Sequence, residues 1–92
     1  MQIGKTIELL RRSKNIKQKD LAKACGISVT ALCNFEKEKY NPSQEVLRKI
    51  CDALGISLPC FLLYMIEDTD IPEEKRTAFN MFMSPLKQLL TQ

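Results

Sequence analysis

Apolar residues recur at helical spacing almost from the start of the chain. Ile3, Ile7 and Leu10 fall at i, i+4 and i+7, which predicts an amphipathic helix over residues 3–14. Asn15 tolerates the left-handed conformation that ends such a helix. Leu21, Ala22 and Cys25 form the apolar face of a second helix starting at Gln18, and Leu32 and Phe35 that of a third. Gly26 supplies the turn between them, Ser28 caps the third helix, and Lys17 is a poor cap for the second. Residues 38–42, Glu-Lys-Tyr-Asn-Pro, read as a loop, because proline pushes its predecessor out of the helical region. Ser43 caps a fourth helix with Val46, Leu47, Ile50, Cys51 and Leu54 inward, closed by Gly55. Ser57 opens a fifth, with Pro59 in its first turn and Phe61, Leu62, Met65 and Ile66 as its apolar face.

Glu67-Asp68-Thr69-Asp70-Ile71-Pro72 is linker-like. Beyond it, Phe79, Phe82, Met83, Leu86 and Leu90 share one helical stripe. Pro85 interrupts that stripe, predicting a kink or a break with Ser84 capping a final short helix. No segment alternates with a period of two, and there is no repeat. The predicted fold is all-α: a five-helix unit over residues 1–66, then a linker and C-terminal helical segment over 67–92.

At 92 residues and 45% apolar content, the chain reads as one globular domain with an appended element. So short a chain buries one modest core, and a partner subunit would help its stability. Charge adds more. Residues 1–40 hold nine Lys/Arg against four Asp/Glu, a net of +5, whereas residues 67–92 hold three against five, a net of −2. The front half suits a polyanion and the tail another task. Cys25, Cys33, Cys51 and Cys60 show no metal-ligand spacing and histidine is absent, so neither a metal nor a cofactor is expected. Cysteines on apolar helix faces behave as small hydrophobes, and reduced thiols imply a cytoplasmic protein. The amino terminus is amphipathic and charged rather than an uninterrupted apolar run, so no signal sequence is expected, and the apolar run Cys60–Ile66 is too short to span a membrane. Without histidine or a glycine-rich phosphate loop, an enzyme is not expected.

Residues 3–66 resemble the Cro/phage-repressor type of helix-turn-helix domain, the XRE family. The likeness runs through Ile7-x-x-Leu10-Arg11, Ile16-Lys17-Gln18-x-x-Leu21-Ala22-x-x-x-Gly26-Ile27-Ser28, Leu32-x-x-Phe35-Glu36, Asn41-Pro42-Ser43 and Leu47-x-x-Ile50-Cys51-x-Ala53-Leu54-Gly55-Ile56-Ser57. It covers about two-thirds of the chain and implies a lambda-repressor-like fold whose third helix enters the DNA major groove. The outward residues near the start of that helix are Ser28, Val29, Thr30 and Asn34. By resemblance, Val29, Thr30 and Asn34 are the base-reading positions. Their chemistry suits the task, since Asn pairs with adenine, Thr donates or accepts, and Val meets a thymine methyl.

Phosphate contacts are expected at Gln18, where a helix start attracts an anion, and at Lys37, Lys39, Tyr40 and Asn41 beyond the recognition helix. Lys17 and Lys19 would add non-specific attraction. The family's matching glutamine also braces the recognition helix. The resemblance further implies that Arg11 and Glu36 form a partly buried ion pair joining the first helix to the third. Two departures stand out. Glu38 occupies a position where the family favours glycine, and a non-glycine residue at positive φ costs on the order of 1 kcal/mol. The recognition helix is therefore expected to run slightly longer, and Glu38 to repel nearby phosphate. Cys33 is expected on the exposed side of the helix as a small neutral filler.

A pseudo-palindromic operator, with half-sites roughly 34 Å apart, demands a two-fold dimer. Phe79, Phe82, Met83, Leu86 and Leu90 are the candidate interface, the rival expectation being that the tail folds back on its own core. The expected function is a sequence-specific transcriptional regulator of bacterial or phage-like origin, a homodimeric repressor that occludes a promoter. An antitoxin gripping a toxin partner and a restriction-control protein share the fold. A protein–protein adaptor without DNA binding is the alternative from another class.

Overall fold

The computed structural model describes residues 2–90, apart from the side chains of Asp68 and Leu90. Six α-helices follow one another: α1 (Ile3–Ser13), α2 (Gln18–Cys25), α3 (Val29–Glu36), α4 (Gln44–Leu54), α5 (Leu58–Met65) and α6 (Arg76–Leu90). Short 3₁₀ turns at Asp68–Asp70 and Glu73–Lys75 lead into α6. No strand occurs among the described residues, and none of their helices is long and apolar enough to cross a membrane.

The first five helices close around one core. Ile7 and Leu10 of α1, Leu21 of α2, Leu32 of α3, Ile50 and Leu54 of α4 and Phe61 of α5 are all essentially inaccessible to solvent. α2 packs against α3 and α4, while α1 packs against α3, α4 and α5. Three helix starts are capped as expected. Ser28, Ser43 and Ser57 each accept a hydrogen bond from the amide three residues on, at Ala31, Val46 and Cys60. Lys17 provides no side-chain cap.

One face of α5 departs from expectation. Phe61 and Tyr64 are buried, whereas Leu62 is exposed and Met65 and Ile66 are half-buried. An eight-residue helix lying on the core by a single stripe selects positions three apart, and Leu62 is rotated about 100° from Phe61. Phe35 and Val46 likewise pack on the core while only half-buried.

Four helix ends use one device. Asn15, Gly26, Glu38 and Gly55 all have φ between 58° and 72°. In each case the amide of the left-handed residue and the next amide turn back to carbonyls of the last helical turn. After α3 these bonds are Glu38 N–H to the Phe35 carbonyl and Lys39 N–H to that of Asn34, both at 3.0 Å. This pattern satisfies carbonyls that a helix end otherwise leaves open. It also corrects the expectation of a longer recognition helix: α3 stops at Glu36, and Glu38 adopts the left-handed conformation despite its side chain.

A buried carboxylate ties the first three helices together. Arg11 Nε lies 2.8 Å from Glu36 Oε2 and Nη2 lies 3.1 Å from Oε1, so the guanidinium grips the carboxylate with two parallel bonds. The two side chains are 9% and 1% exposed. Arg11 Nη1 donates at 2.8 Å to the carbonyl of Ile16, in the α1–α2 turn. Gln18 Nε2, at the start of α2, donates at 2.9 Å to Glu36 Oε1. The pairing of Arg11 with Glu36 thus extends to a network of four groups.

α6 is one continuous helix through Pro85, so of the expected kink or break, the break with Ser84 as a new cap is absent. Pro85 is exposed and so is Met81, the residue whose carbonyl loses its amide partner to the proline, which leaves that carbonyl near water. The helix packs on the two 3₁₀ turns. Lys87 Nζ donates at 2.8 Å to the Ile66 carbonyl and lies 5.5 Å from the centre of the Tyr64 ring. Its inner side holds Met83, which is buried, with Phe79 and Leu86 half-buried.

Two substitutions test the scaffold. Glu36→Ala leaves Arg11 charged, buried and unpaired, at a cost of about 3–5 kcal/mol. Its thermal midpoint is expected on the order of 15 °C or more below wild type, and coincident melts would contradict the network's structural role. Gly4→Ala introduces a Cβ that collides with the carbonyl oxygen of Phe35 and approaches Glu38 Oε1 to 2.8 Å. Backbone that must shift for an added methyl typically costs about 1–3 kcal/mol, which denaturant titration would register.

Candidate nucleic-acid interface

The outer face of α3 begins at a tight turn. Gly26 is left-handed, Ile27 tucks against the core and Ser28 caps the helix, so the first turn of α3 stands clear of the rest of the domain. Val29 is 45% exposed. Ser28 and Thr30 are exposed and Asn34, one turn further on, is half-buried. These side chains are uncharged: a hydroxyl pair, an apolar group and an amide. An amide offers both a donor and an acceptor, the combination needed to meet a base edge.

Exposed cations and donors lie in the segments before and after α3. Lys17, Lys19, Lys37 and Lys39 are exposed, as are Tyr40 and Asn41. Lys37 immediately follows α3, while Lys39, Tyr40 and Asn41 lie beyond the left-handed Glu38. Gln18 differs from the other expected phosphate contacts. It is half-buried, and its amide nitrogen is committed to Glu36. Bracing is the role its geometry displays. Cys33 is half-buried rather than exposed, because α3 turns that flank toward the domain.

The thiols of Cys25 and Cys51 offer no chemistry to this face. Cys25 and Cys51 are buried and unbridged. Burial pushes the Cys51 thiol up to about 11, with Asp52 and then Cys25 adding to the effect. Cys25 is also raised, chiefly by burial, with Lys49 opposing. Such thiols stay protonated and act as small hydrophobes. Among the described residues no cluster of His, Cys, Asp or Glu could hold a metal ion.

Two contacts went unseen in the sequence. The carbonyl of Ile16 is a third acceptor for Arg11. The carboxylate of Glu38 meets the amide of Lys5 at 2.7 Å, across 33 residues of chain. A glycine inside the first turn of a helix was the available signal for the second, since Gly4 is unfavourable there unless another backbone comes close.

Residues 7–59 match the family described as Helix-turn-helix, which is more than half of the chain. The immunity repressor protein of Bacillus phage phi105 is 32% identical over 75 residues, covering 82% of this chain and 50% of that protein. The ImmF control region 10 kDa protein of the same phage is 38% identical over 66 residues, 72% of this chain and 71% of that one. Multiprotein-bridging factor 1 of Candida glabrata is 39% identical over 56 residues, 61% of this chain and 37% of that protein. The chain therefore spans about half the length of the phage immunity repressor that it matches. Its lambda-repressor-like arrangement of five capped helices, the glycine turn between α2 and α3 and these similarities together place the chain in the XRE family of helix-turn-helix DNA-binding domains.

Proposed function

We propose that this protein is a sequence-specific transcriptional regulator, a homodimeric repressor that occludes a promoter by occupying a pseudo-palindromic operator. One observation carries the reading. An uncharged face of α3, with Ser28, Val29 and Thr30 exposed at its start and Asn34 half-buried one turn further on, is fixed to the domain by a buried carboxylate, with Lys17 ahead of the helix that braces it and Lys37 and Lys39 just beyond its end. Side chains of that kind read base edges in the major groove, and the lysines, with Tyr40 and Asn41, hold the phosphates on either side. Gln18 braces this arrangement and sits at a helix start that would also favour a phosphate. The likeness to a phage immunity repressor supports the regulatory output.

The second copy belongs on α6. Met83, Phe79 and Leu86 face their own chain, and the side chain of Leu90 lies outside the described residues. Phe82, by contrast, is 79% exposed, alongside Met81 at 75% and Leu89 at 65%. Phe82 and Leu89, seven residues apart, share one stripe of the helix, and a contiguous exposed apolar stripe is the kind of surface that meets a partner. We assign the dimer contact to this outer face and to Phe82 above all, with the inner stripe holding α6 in place. The tail is also the least basic part of the chain, so two copies can meet there with their DNA-facing halves apart.

A second reading, a protein-bridging module that keeps the scaffold, is favoured by the likeness to multiprotein-bridging factor 1. Retardation of duplex DNA at low salt separates the two.

Selection of bound duplexes from a random library is expected to return an inverted repeat, and a sequence-independent pool would contradict the proposal. On the selected operator, Asn34→Ala is expected to cost about 1–3 kcal/mol and to relax specificity at one base pair of each half-site. Equal weakening on all sequences would make Asn34 a backbone contact. Phe82→Glu is expected to convert the dimer to a monomer by light scattering without lowering its helical content. A variant that stays dimeric would move the interface elsewhere.

A further inference from the structure

The four left-handed helix ends differ in what fastens the chain after them. Following Asn15, Gly26 and Gly55 come Ile16, Ile27 and Ile56, and each isoleucine packs on the core. That apolar contact commonly accompanies this helix ending and fixes the direction of the exit. After Glu38 comes Lys39, which is exposed and gives no such anchor. The end of α3 is therefore the one of the four whose exit is not held by an isoleucine, and it is the one that delivers Lys39, Tyr40 and Asn41.

A polar clasp stands in the isoleucine's place. Glu38 Oε1 accepts a hydrogen bond from Lys5 N–H at 2.7 Å. Lys5 is the third residue of α1, the position whose amide a capping side chain ordinarily accepts. α1 has no such cap of its own: Gln2 makes no side-chain bond there, and its first turn holds no acidic residue. Glu38 supplies the missing cap from 33 residues away. Gly4 makes the approach possible, since a Cβ there would meet both the Phe35 carbonyl oxygen and Glu38 Oε1. The clasp also turns a negative charge toward the positive end of the α1 dipole, although that charge sits between two lysines of the proposed phosphate-binding segment.

We infer that Glu38 is a positioning residue for DNA binding: by capping α1 it holds the segment carrying Lys37, Lys39, Tyr40 and Asn41 in its phosphate-contacting geometry and directs its own charge away from the DNA. The inference rests on the proposed DNA-binding function and has a consequence opposite in sign to simple electrostatics. A carboxylate that merely neighbours phosphate weakens binding, so its removal strengthens binding. A carboxylate that positions the segment weakens binding when lost.

Three variants in the full chain separate the two. Binding is measured to a mixed-sequence duplex at low salt, because phosphate contacts act on every sequence. Glu38→Gln keeps an acceptor for Lys5 N–H and is expected to bind at least as tightly as wild type. Glu38→Ala is expected to bind about fivefold more weakly, as for loss of ordered backbone contacts. Glu38→Gly removes the acceptor but relieves the left-handed strain, so it folds at least as stably as Glu38→Ala and is expected to share its binding defect. Tighter binding by the alanine and glycine variants would overturn the inference. Hydrogen exchange of the Lys5 amide in free protein gives a readout that needs no DNA. It is expected to be slow in wild type and Glu38→Gln and fast in the other two, and uniform exchange across the four proteins would overturn the clasp. Failure of wild type itself to bind duplex would overturn the DNA-binding function, and with it the role assigned to the clasp, even where Lys5 exchange shows the clasp formed.

Discussion

Everything the exposed face of α3 can do depends on a single buried charge. The Glu36 carboxylate is nearly inaccessible to water, and a group of that kind is tolerable only where donors replace its hydration. Arg11 provides two of them through a planar fork, and Gln18 provides a third. The two donating residues come from different helices, Arg11 from α1 and Gln18 from α2, and Arg11 also binds the Ile16 carbonyl in the turn between those two helices. The orientation of α3 relative to α1 and α2 is therefore set by hydrogen-bond geometry as well as by apolar contact. Apolar packing alone tolerates rearrangement, whereas bidentate bonding in a low-dielectric setting does not. An ammonium at position 11 would keep the charge and lose the fork.

The helix ends distribute this rigidity over the domain. Left-handed closures at Asn15, Gly26 and Gly55 allow the next element to begin within a few residues, and the isoleucine after each pins the exit. The end of α3 uses the same backbone device with a different fastening, a carboxylate on the amide of Lys5. An exposed segment rich in lysine cannot be held by burial, so a polar tether suits it better than an apolar plug. α6 follows a comparable logic. Lys87 on the Ile66 carbonyl and Met83 on the inner side secure it, and this leaves Met81, Phe82 and Leu89 facing outward.

Much of this was legible along the chain because it is local. Ser28, Ser43 and Ser57 act on amides three residues ahead, Gly26 and Gly55 answer to their own φ, and the apolar spacing of each helix reports the direction of its core. The pairing of Arg11 with Glu36 was accessible only through resemblance, since no spacing rule joins positions 25 residues apart. Position 38 shows where local reasoning misleads. Strain at positive φ argued for a longer helix, whereas Glu38 adopts that conformation and its carboxylate accepts from the amide of Lys5, 33 residues away.

The sequence by itself determined the all-α class, the starts of the five helices and the closures at Gly26 and Gly55, most of the core and the uncharged start of α3, because each is set by periodicity and capping within a few residues. Tertiary structure decided which apolar residues of α5 and α6 are buried, why Gly4 has no side chain, that Gln18 braces Glu36 and that Glu38 closes α1. The physical reason is one of range. Burial and long-range hydrogen bonds depend on which surfaces meet, and the meeting of α1 with the end of α3 is not encoded in the spacing of either.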